Sequence, residues 1–307
     1  MFKHSDHLKK IWGVAVGFIK RFFLLFKIPW YDFVYIHREA APAGPPFFEF
    51  IIAKLLRKKI IYDFDDAIWV RIASSANPGV SYLKCTWKVK YICKWSYITT
   101  VGNDFLADFA HRYSKNVVVI PTVVDTVNLH NRLKNQSEQP LTIGWTGTFT
   151  NFYNLERIFD PVKRLQEKYN FRFLIIADKD PMFTGMKYEY IKWNKTTEID
   201  DLIKFNIGVM PLNNSEVEMG KCGFKAIQYL SLGIPAVVSP VGANSKVVLN
   251  NVVGFWAESD EDWYTNLESL INDEESRIHM GTAAREHIIK NYSVAATSKI
   301  FFDLFVK

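Results

Sequence analysis

From residue 31 onward, short apolar runs alternate with longer segments of helical period, and few folds accommodate that rhythm. Residues 31–36, 59–64, 97–101 and 116–120 read as strands, separated by helices over 46–57, 80–96 and 104–113. A polar stretch without periodicity, 130–140, then reads as a linker. The alternation restarts with strands at 141–145, 171–177, 188–191, 207–210, 236–239 and 254–256. The intervening helices fall at 155–169, 198–205, 224–232, 260–270 and 274–291. Strands alternating with helices imply parallel sheets covered on both faces. The expectation is therefore an α/β protein of two doubly wound domains, with ligands at the carboxyl ends of the strands in the cleft between them. The boundaries expected are an N-terminal helix over 1–30, a first lobe over 31–135, a second domain over 136–290, and a closing helix over 291–307.

Composition narrows the partners. The 307 residues are 49% hydrophobic, enough for full cores, and the net charge of +6 favours anionic partners such as phosphates, nucleic acid or acidic lipid. No recognised nucleic-acid motif accompanies that charge, so nucleic acid is not expected as a partner. Cys85, Cys93 and Cys222 are odd in number and lack C-x-x-C spacing, which argues against a disulfide framework or a zinc site. No histidine pair has metal-ligand spacing either, and no metal or cofactor is expected. Reduced thiols fit a reducing, cytoplasmic compartment.

The N-terminus carries a second signal. Residues 9–27 are too interrupted by charge to span a membrane. On a helix, Lys9, Lys10, Lys20, Arg21 and Lys27 gather on one side, opposite Trp12, Phe18, Phe22, Phe23 and Phe26. Such a helix either lies in a membrane surface or packs its apolar face on the protein's own core.

The densest local pattern runs from Gly220 to Val238: a glycine-bracketed loop, a helix, a Gly-x-Pro break and a buried strand. Gly220 and Gly223 let backbone approach a ligand, and the helix they open offers free N–H groups to an anion. Lys221 and Lys225 stand at that helix start, where a cation opposes the helix dipole. A bound phosphate or diphosphate resolves the conflict; two solvated lysines on a surface turn are the plain alternative.

In the first lobe, His37-Arg38-Glu39 and Asp63-Phe64-Asp65-Asp66 both end strands. Asp63-x-Asp65 shares a strand face and invites a metal reading. The resemblance given below, to a metal-independent fold, implies instead that Asp65 and Asp66 are sugar or acceptor-hydroxyl contacts; a helix N-cap is the alternative for Asp66. By the same resemblance His37, Arg38 and Glu39 meet an acceptor phosphate, and a structural salt bridge is the alternative.

Several stretches in order give the second half a resemblance to family-four glycosyltransferases, retaining enzymes of the two-lobed GT-B fold. Ile143-Gly144-Trp145-Thr146-Gly147 looks like that family's first strand and glycine turn. Phe205 to Leu212 is similar to its strand ending in proline. The Gly220–Ser239 block sits where the family carries two glutamates followed by Gly-x-Pro-Val-Val, and Pro121-Thr122-Val123-Val124-Asp125 resembles its crossover. The likeness spans roughly 95–307 and implies a metal-independent transfer from a nucleotide sugar to a lipid-linked or glycan acceptor, as in bacterial surface-polysaccharide synthesis. It implies donor contacts at Gly147, Thr148, Trp193, Asn194, Gly220, Gly223, Phe224, Gln228 and Gly242. Lys221 and Lys225 are expected to hold the diphosphate, because the family's usual arginine and lysine fall on Thr148 and Tyr153. The two glutamates fall on Gly220 and Gln228, so a non-catalytic nucleotide-sugar-binding subunit is the alternative. No glycine-rich loop precedes Tyr31, and the acceptor lobe is expected to be incomplete. A peripheral position on the inner face of the cytoplasmic membrane completes the expectation.

Overall fold

The computed structural model describes residues 5–71 and 84–306, with side chains from Trp12 onward. The chain divides into two compact units, residues 1–120 with 302–307, and residues 121–301. The expected helix start at residues 80–83 lies outside the described residues.

In the first unit, β1 (Phe33–His37), β2 (Lys59–Phe64), β3 (Ile98–Val101) and β4 (Val117–Val119) form one parallel sheet in chain order. The register pairs Ile36 with Tyr62 and Tyr62 with Thr99. Strand β2 is the best buried, because Ile60, Ile61, Tyr62 and Phe64 have no solvent contact. An N-terminal helix covers Ser5–Leu25. Its Phe18 ring meets Phe48 at 5.7 Å, while Trp12, Ile19, Phe22, Phe23 and Phe26 remain exposed. One edge of this helix therefore packs on the protein and the broader aromatic face does not.

The second unit holds six parallel strands: β5 (Thr142–Gly147), β6 (Arg172–Ala177), β7 (Glu189–Lys192), β8 (Ile207–Met210), β9 (Ala236–Val238) and β10 (Gly254–Trp256). Their order is β10-β9-β8-β5-β6-β7. The chain builds outward from β5 to one edge, then returns to build from β8 to the other, so the order reverses between β5 and β8. Both faces are covered. Leu174 and Ile176 of β6 join one core cluster, and Phe173, Ile175 and Ala177 join the other. That is why the strands read as continuous apolar runs instead of alternating ones. Each such buried aliphatic side chain contributes about 1.5–3 kcal/mol.

The linker expected at 130–140 is not one. The units divide at residues 120 and 121, and the following segment is bound into the second unit by its own backbone. Val124 N–H donates to Tyr292 C=O at 3.0 Å, and Lys134 N–H donates to Leu232 C=O at 2.8 Å. The Gln136 side chain donates to Gly233 C=O at 3.1 Å. Polar side chains here satisfy buried backbone groups, so the stretch looks like a loop in the sequence yet is packed. The last helix, Val294–Asp303, stays with the second unit as far as Phe301. The tail returns to the first unit, where Phe305 meets Phe33 edge-on at 5.7 Å.

Candidate functional site

In an open parallel sheet, the crevice beyond the strand ends where the order reverses is the place for a ligand. Here that place is the carboxyl end of β5 and β8. Strand β5 ends at Gly147, where sterics admit only glycine. A Cβ on Gly147 would meet Trp145 Cη2 at 2.4 Å and Lys225 Cε at 2.9 Å. Lys225 thus lies against the β5 turn, its ammonium 5.4 Å from the buried Trp145 ring, a range in which a cation and an aromatic face attract. The turn is fixed from beneath by Tyr229, whose hydroxyl accepts the Thr146 N–H at 2.9 Å. The Thr148 hydroxyl is engaged locally, with Thr150 at 2.8 Å and the Asn151 amide at 3.0 Å.

The glycine-bracketed loop reaches the same region. Gly223 adopts φ 73° at the start of the Phe224–Ser231 helix, a conformation that costs other residues roughly 1–2 kcal/mol. A Cβ there would also meet Val247 Cγ2 at 3.0 Å. Phe224 is exposed and Lys221 half-buried beside the buried Gly220. The loop after β9 closes over this one. Ala243 N–H donates to Lys221 C=O at 3.1 Å, and a Cβ on Gly242 would come within 3.0 Å of Glu218, Met219 and Lys221 carbonyl oxygens. Gly147, Gly220, Lys221, Gly223, Lys225 and Gly242 are therefore one neighbourhood.

Gln228 is 2% exposed, and its amide donates to Glu198 Oε1 at 3.2 Å. Trp193 Nε1–H donates to the same oxygen at 3.1 Å. Glu198, absent from the sequence-derived candidates, is what joins them. Asn194 is used differently: its side-chain oxygen accepts from the Thr196 N–H at 3.0 Å and hydroxyl at 2.9 Å, closing a turn.

Two further groups escaped sequence reasoning. Glu218 is buried and takes hydrogen bonds from the Tyr153 and Ser215 hydroxyls and from Asn154 Nδ2 at 3.4 Å. Burial alone would raise its pKa; those donors outweigh burial and hold it below the ordinary 4.5. Burial and the Glu218 carboxylate push the Tyr153 phenol up to about 12. His130 is 2% exposed, with neither ring nitrogen hydrogen-bonded. Burial lowers its pKa, Glu198 opposes that shift and Arg285 adds to it. A lone glutamate or histidine in a polar stretch gives no sequence signal of burial.

In the first unit the strand-end residues do converge, chiefly on one another. His37 Nδ1 lies 2.7 Å from Asp63 Oδ2, and the Thr100 hydroxyl donates to Asp63 Oδ1 at 2.6 Å. Arg38 Nε donates to Asp65 at 2.8 Å and Nη2 to Asp66 at 2.6 Å. Glu39 pairs with the buried Lys88 ammonium at 2.6 Å. The salt-bridge alternative describes this stretch: the Arg38 side chain is engaged by Asp65 and Asp66, and His37 by Asp63. Asp66 caps no helix among the described residues: Ala67–Val70 forms a turn, with Ile68 N–H on Asp66 C=O at 2.7 Å. No group of three potential metal ligands occurs among the described residues. Next to this cluster lies a cavity of about 500 Å³, lined by Arg21, Leu24, Leu25, Tyr35, Phe48 and Ile52 among others.

Residues 140–273 match the family model described as glycosyl transferases group 1. No curated protein matches the chain. Among solved structures, a glycosyltransferase from Rickettsia africae is similar at TM-score 0.69 and 14% identity, covering 95% of this chain and 80% of that one. Anabaena Alr3699/HepE in complex with UDP and glucose follows at 0.67 and 11%, covering 92% and 80%. The catalytic domain of starch synthase IV from Arabidopsis thaliana, bound to ADP and acarbose, gives 0.63 and 12%, covering 89% and 72%. The chain thus has the α/β fold of the GT-B glycosyltransferases, and residues 140–273 of its second unit are similar to the glycosyl transferases group 1 family.

Proposed function

We propose that the chain transfers a sugar from a nucleotide-sugar donor, held at the β5–β8 switch point, to a lipid-linked or glycan acceptor, with retention and without a metal. The observation that carries this reading is Lys225 folded against the Gly147 turn. A cation at a helix start, beside a turn stripped of side chain, is the arrangement a diphosphate needs. Lys221 and Lys225, with the N–H groups opening the Phe224–Ser231 helix, stabilise the charge that develops on the departing diphosphate. The leaving phosphate oxygen then accepts the acceptor proton, so no carboxylate base is required. Gln228 and Trp193, coupled through Glu198, face the ribose and base. UDP in the Anabaena structure and ADP in the starch synthase support the donor class.

The acceptor side rests on the first unit. Its cavity joins apolar walls, Leu24, Leu25, Phe48 and Ile52, to polar ones, Arg21, Tyr35 and His37, which suits an amphipathic acceptor. No described helix is long and apolar enough to cross a membrane. The exposed aromatic face of the N-terminal helix supports peripheral attachment to the inner face of the cytoplasmic membrane. Cys85, Cys93 and Cys222 form no disulfide, in keeping with that compartment.

The test is thermal-shift binding of UDP-, GDP- and ADP-sugars without added metal, on the parent and on Lys221→Ala/Lys225→Ala. A selective shift lost in the double variant supports the donor site and identifies the nucleotide. No shift with any donor overturns it. Binding without turnover or donor hydrolysis, even with crude lipid acceptor, favours a non-catalytic nucleotide-sugar-binding subunit.

A further inference from the structure

The Lys88–Trp95 helix has apolar residues on both faces, although only one is covered. Inward, Lys88, Val89, Ile92 and Cys93 are buried, and the Lys88 ammonium is satisfied by Glu39 at 2.6 Å and Ala41 C=O at 2.8 Å. Outward, at about 100° per residue, Trp87, Tyr91 and Trp95 fall in one stripe with Lys90 and Lys94 beside it. A solvated helix face is ordinarily polar. Here Trp87 is 50% exposed and Tyr91 is also exposed. Their rings lie 5.7 Å apart, and Tyr91 and Trp95 follow at 5.9 Å.

The stripe continues onto the next element. Trp95 meets Phe50 at 5.5 Å, and Phe50, Phe47 and Leu55 are exposed. Phe48 then links Phe47, at 5.8 Å, to Phe18 of the N-terminal helix, at 5.7 Å. The charge is one-sided. Residues 47–58 and 84–96 contain a single carboxylate, Glu49, which is buried and accepts the Ala40 N–H at 2.9 Å. Lys54, Arg57, Lys84 and Lys94 are exposed, and Lys58 and Lys90 are half-buried. Aromatic rings with lysines at their margin, and no opposing acid, form the composition that seats at a charged lipid headgroup boundary.

The geometry points to a second membrane-contact surface, built from residues 47–58 and the Trp87–Trp95 stripe, whose occupant is an anionic bilayer. It rests on the proposed membrane role of the N-terminal helix only for continuity, and not on the donor chemistry. Two contact elements fix the orientation of the first unit on the bilayer, where one helix alone would leave it free to swivel.

The experiment is co-sedimentation of the full chain with phosphatidylcholine vesicles, with and without phosphatidylglycerol. The parent partitions onto anionic vesicles and is released by salt. Lys90→Gln/Lys94→Gln lowers the partition coefficient by about twenty-five-fold, near fivefold per lysine. Trp87→Ser/Tyr91→Ser lowers it by about tenfold or more. Lys163→Gln/Lys290→Gln, a charge-matched change on exposed residues of the second unit, leaves it unaltered. Unaltered partition in both stripe variants, with loss in Phe22→Ser/Phe23→Ser, overturns this surface and leaves the N-terminal helix reading standing. Loss in none of them overturns both. Self-association abolished by the stripe variants without change in vesicle binding makes the face a contact between copies and also overturns it. Where a serine variant loses its circular dichroism, quenching of tryptophan fluorescence by brominated lipid is compared between parent and Trp87→Phe; equal quenching overturns the proposal.

Discussion

The Gln228 side-chain amide donates to the Glu198 carboxylate at 3.2 Å, joining a buried helix position to the first turn of the Glu198–Leu202 helix. Under the proposed function, the carboxylate beside Gln228 comes from another helix than Gln228 itself. Glu198→Ala leaves the buried Gln228 amide without its acceptor, at a cost of about 1–3 kcal/mol. Donor affinity should fall by about tenfold, measured by calorimetry, and Glu198→Gln should fall less. Unchanged affinity in Glu198→Ala would remove this helix from the donor site.

Gly147 is the tightest point of the candidate site. In Gly147→Ala the new methyl would lie 2.4 Å from Trp145 Cη2, and such overpacking costs about 1–3 kcal/mol. Relief requires Lys225, whose Cε would be 2.9 Å away, to move off the turn. Both the urea midpoint and donor affinity should therefore drop. Loss of stability with full affinity would show that Lys225 does not act from this position.

All ten strands were legible, most of them because a buried parallel strand is a short apolar run, although β7 carries exposed Glu189 and Lys192 at its ends. The glycines at 147, 223 and 242 were legible as close approaches, since a Cβ at each would meet a neighbouring atom at 3.0 Å or closer. What stayed hidden depends on partners far away in the chain. Glu198 and Glu218 look like ordinary surface acids until Trp193, Gln228, Tyr153 and Asn154 arrive. The stretch from 130 to 140 looked like a linker because polar residues that satisfy buried carbonyls have the same composition as solvated ones. The outward stripe of Trp87, Tyr91 and Trp95 lay within an expected helix, yet periodicity alone cannot show which of two apolar faces is covered.

Glu218 makes the second unit sensitive to acid. Its folded pKa is depressed by the Ser215, Tyr153 and Asn154 donors acting against burial. The sign follows: this stabilisation is complete above the unfolded value of about 4.5 and is lost as pH falls through the lower folded value. Glu218→Gln should thus be less stable than the parent at neutral pH, and the two should draw together below about pH 4. Urea midpoints across that range test it. Parallel curves for parent and variant would mean that Glu218 contributes no protonation-linked stability.

Arg38 sits at φ 60° while its guanidinium bridges Asp65 and Asp66, so backbone strain and ion pairing oppose each other in one residue. Both pairs are about two-fifths exposed, which limits each to about 0–1 kcal/mol. The left-handed backbone costs roughly 1–2 kcal/mol in any residue but glycine. Arg38→Ala keeps the strain and loses the pairs, and leaves Asp63, Asp65 and Asp66 to repel one another. Arg38→Gly loses the same pairs and relieves the strain. The glycine variant should therefore be more stable than the alanine variant by about 1 kcal/mol, and close to the parent. Added salt should narrow the gap between parent and Arg38→Ala, because that gap is electrostatic, and leave the gap between alanine and glycine unchanged. An alanine variant as stable as the glycine one would mean that the loop relaxes once the guanidinium is gone, and that the ion pairs themselves hold the strained turn.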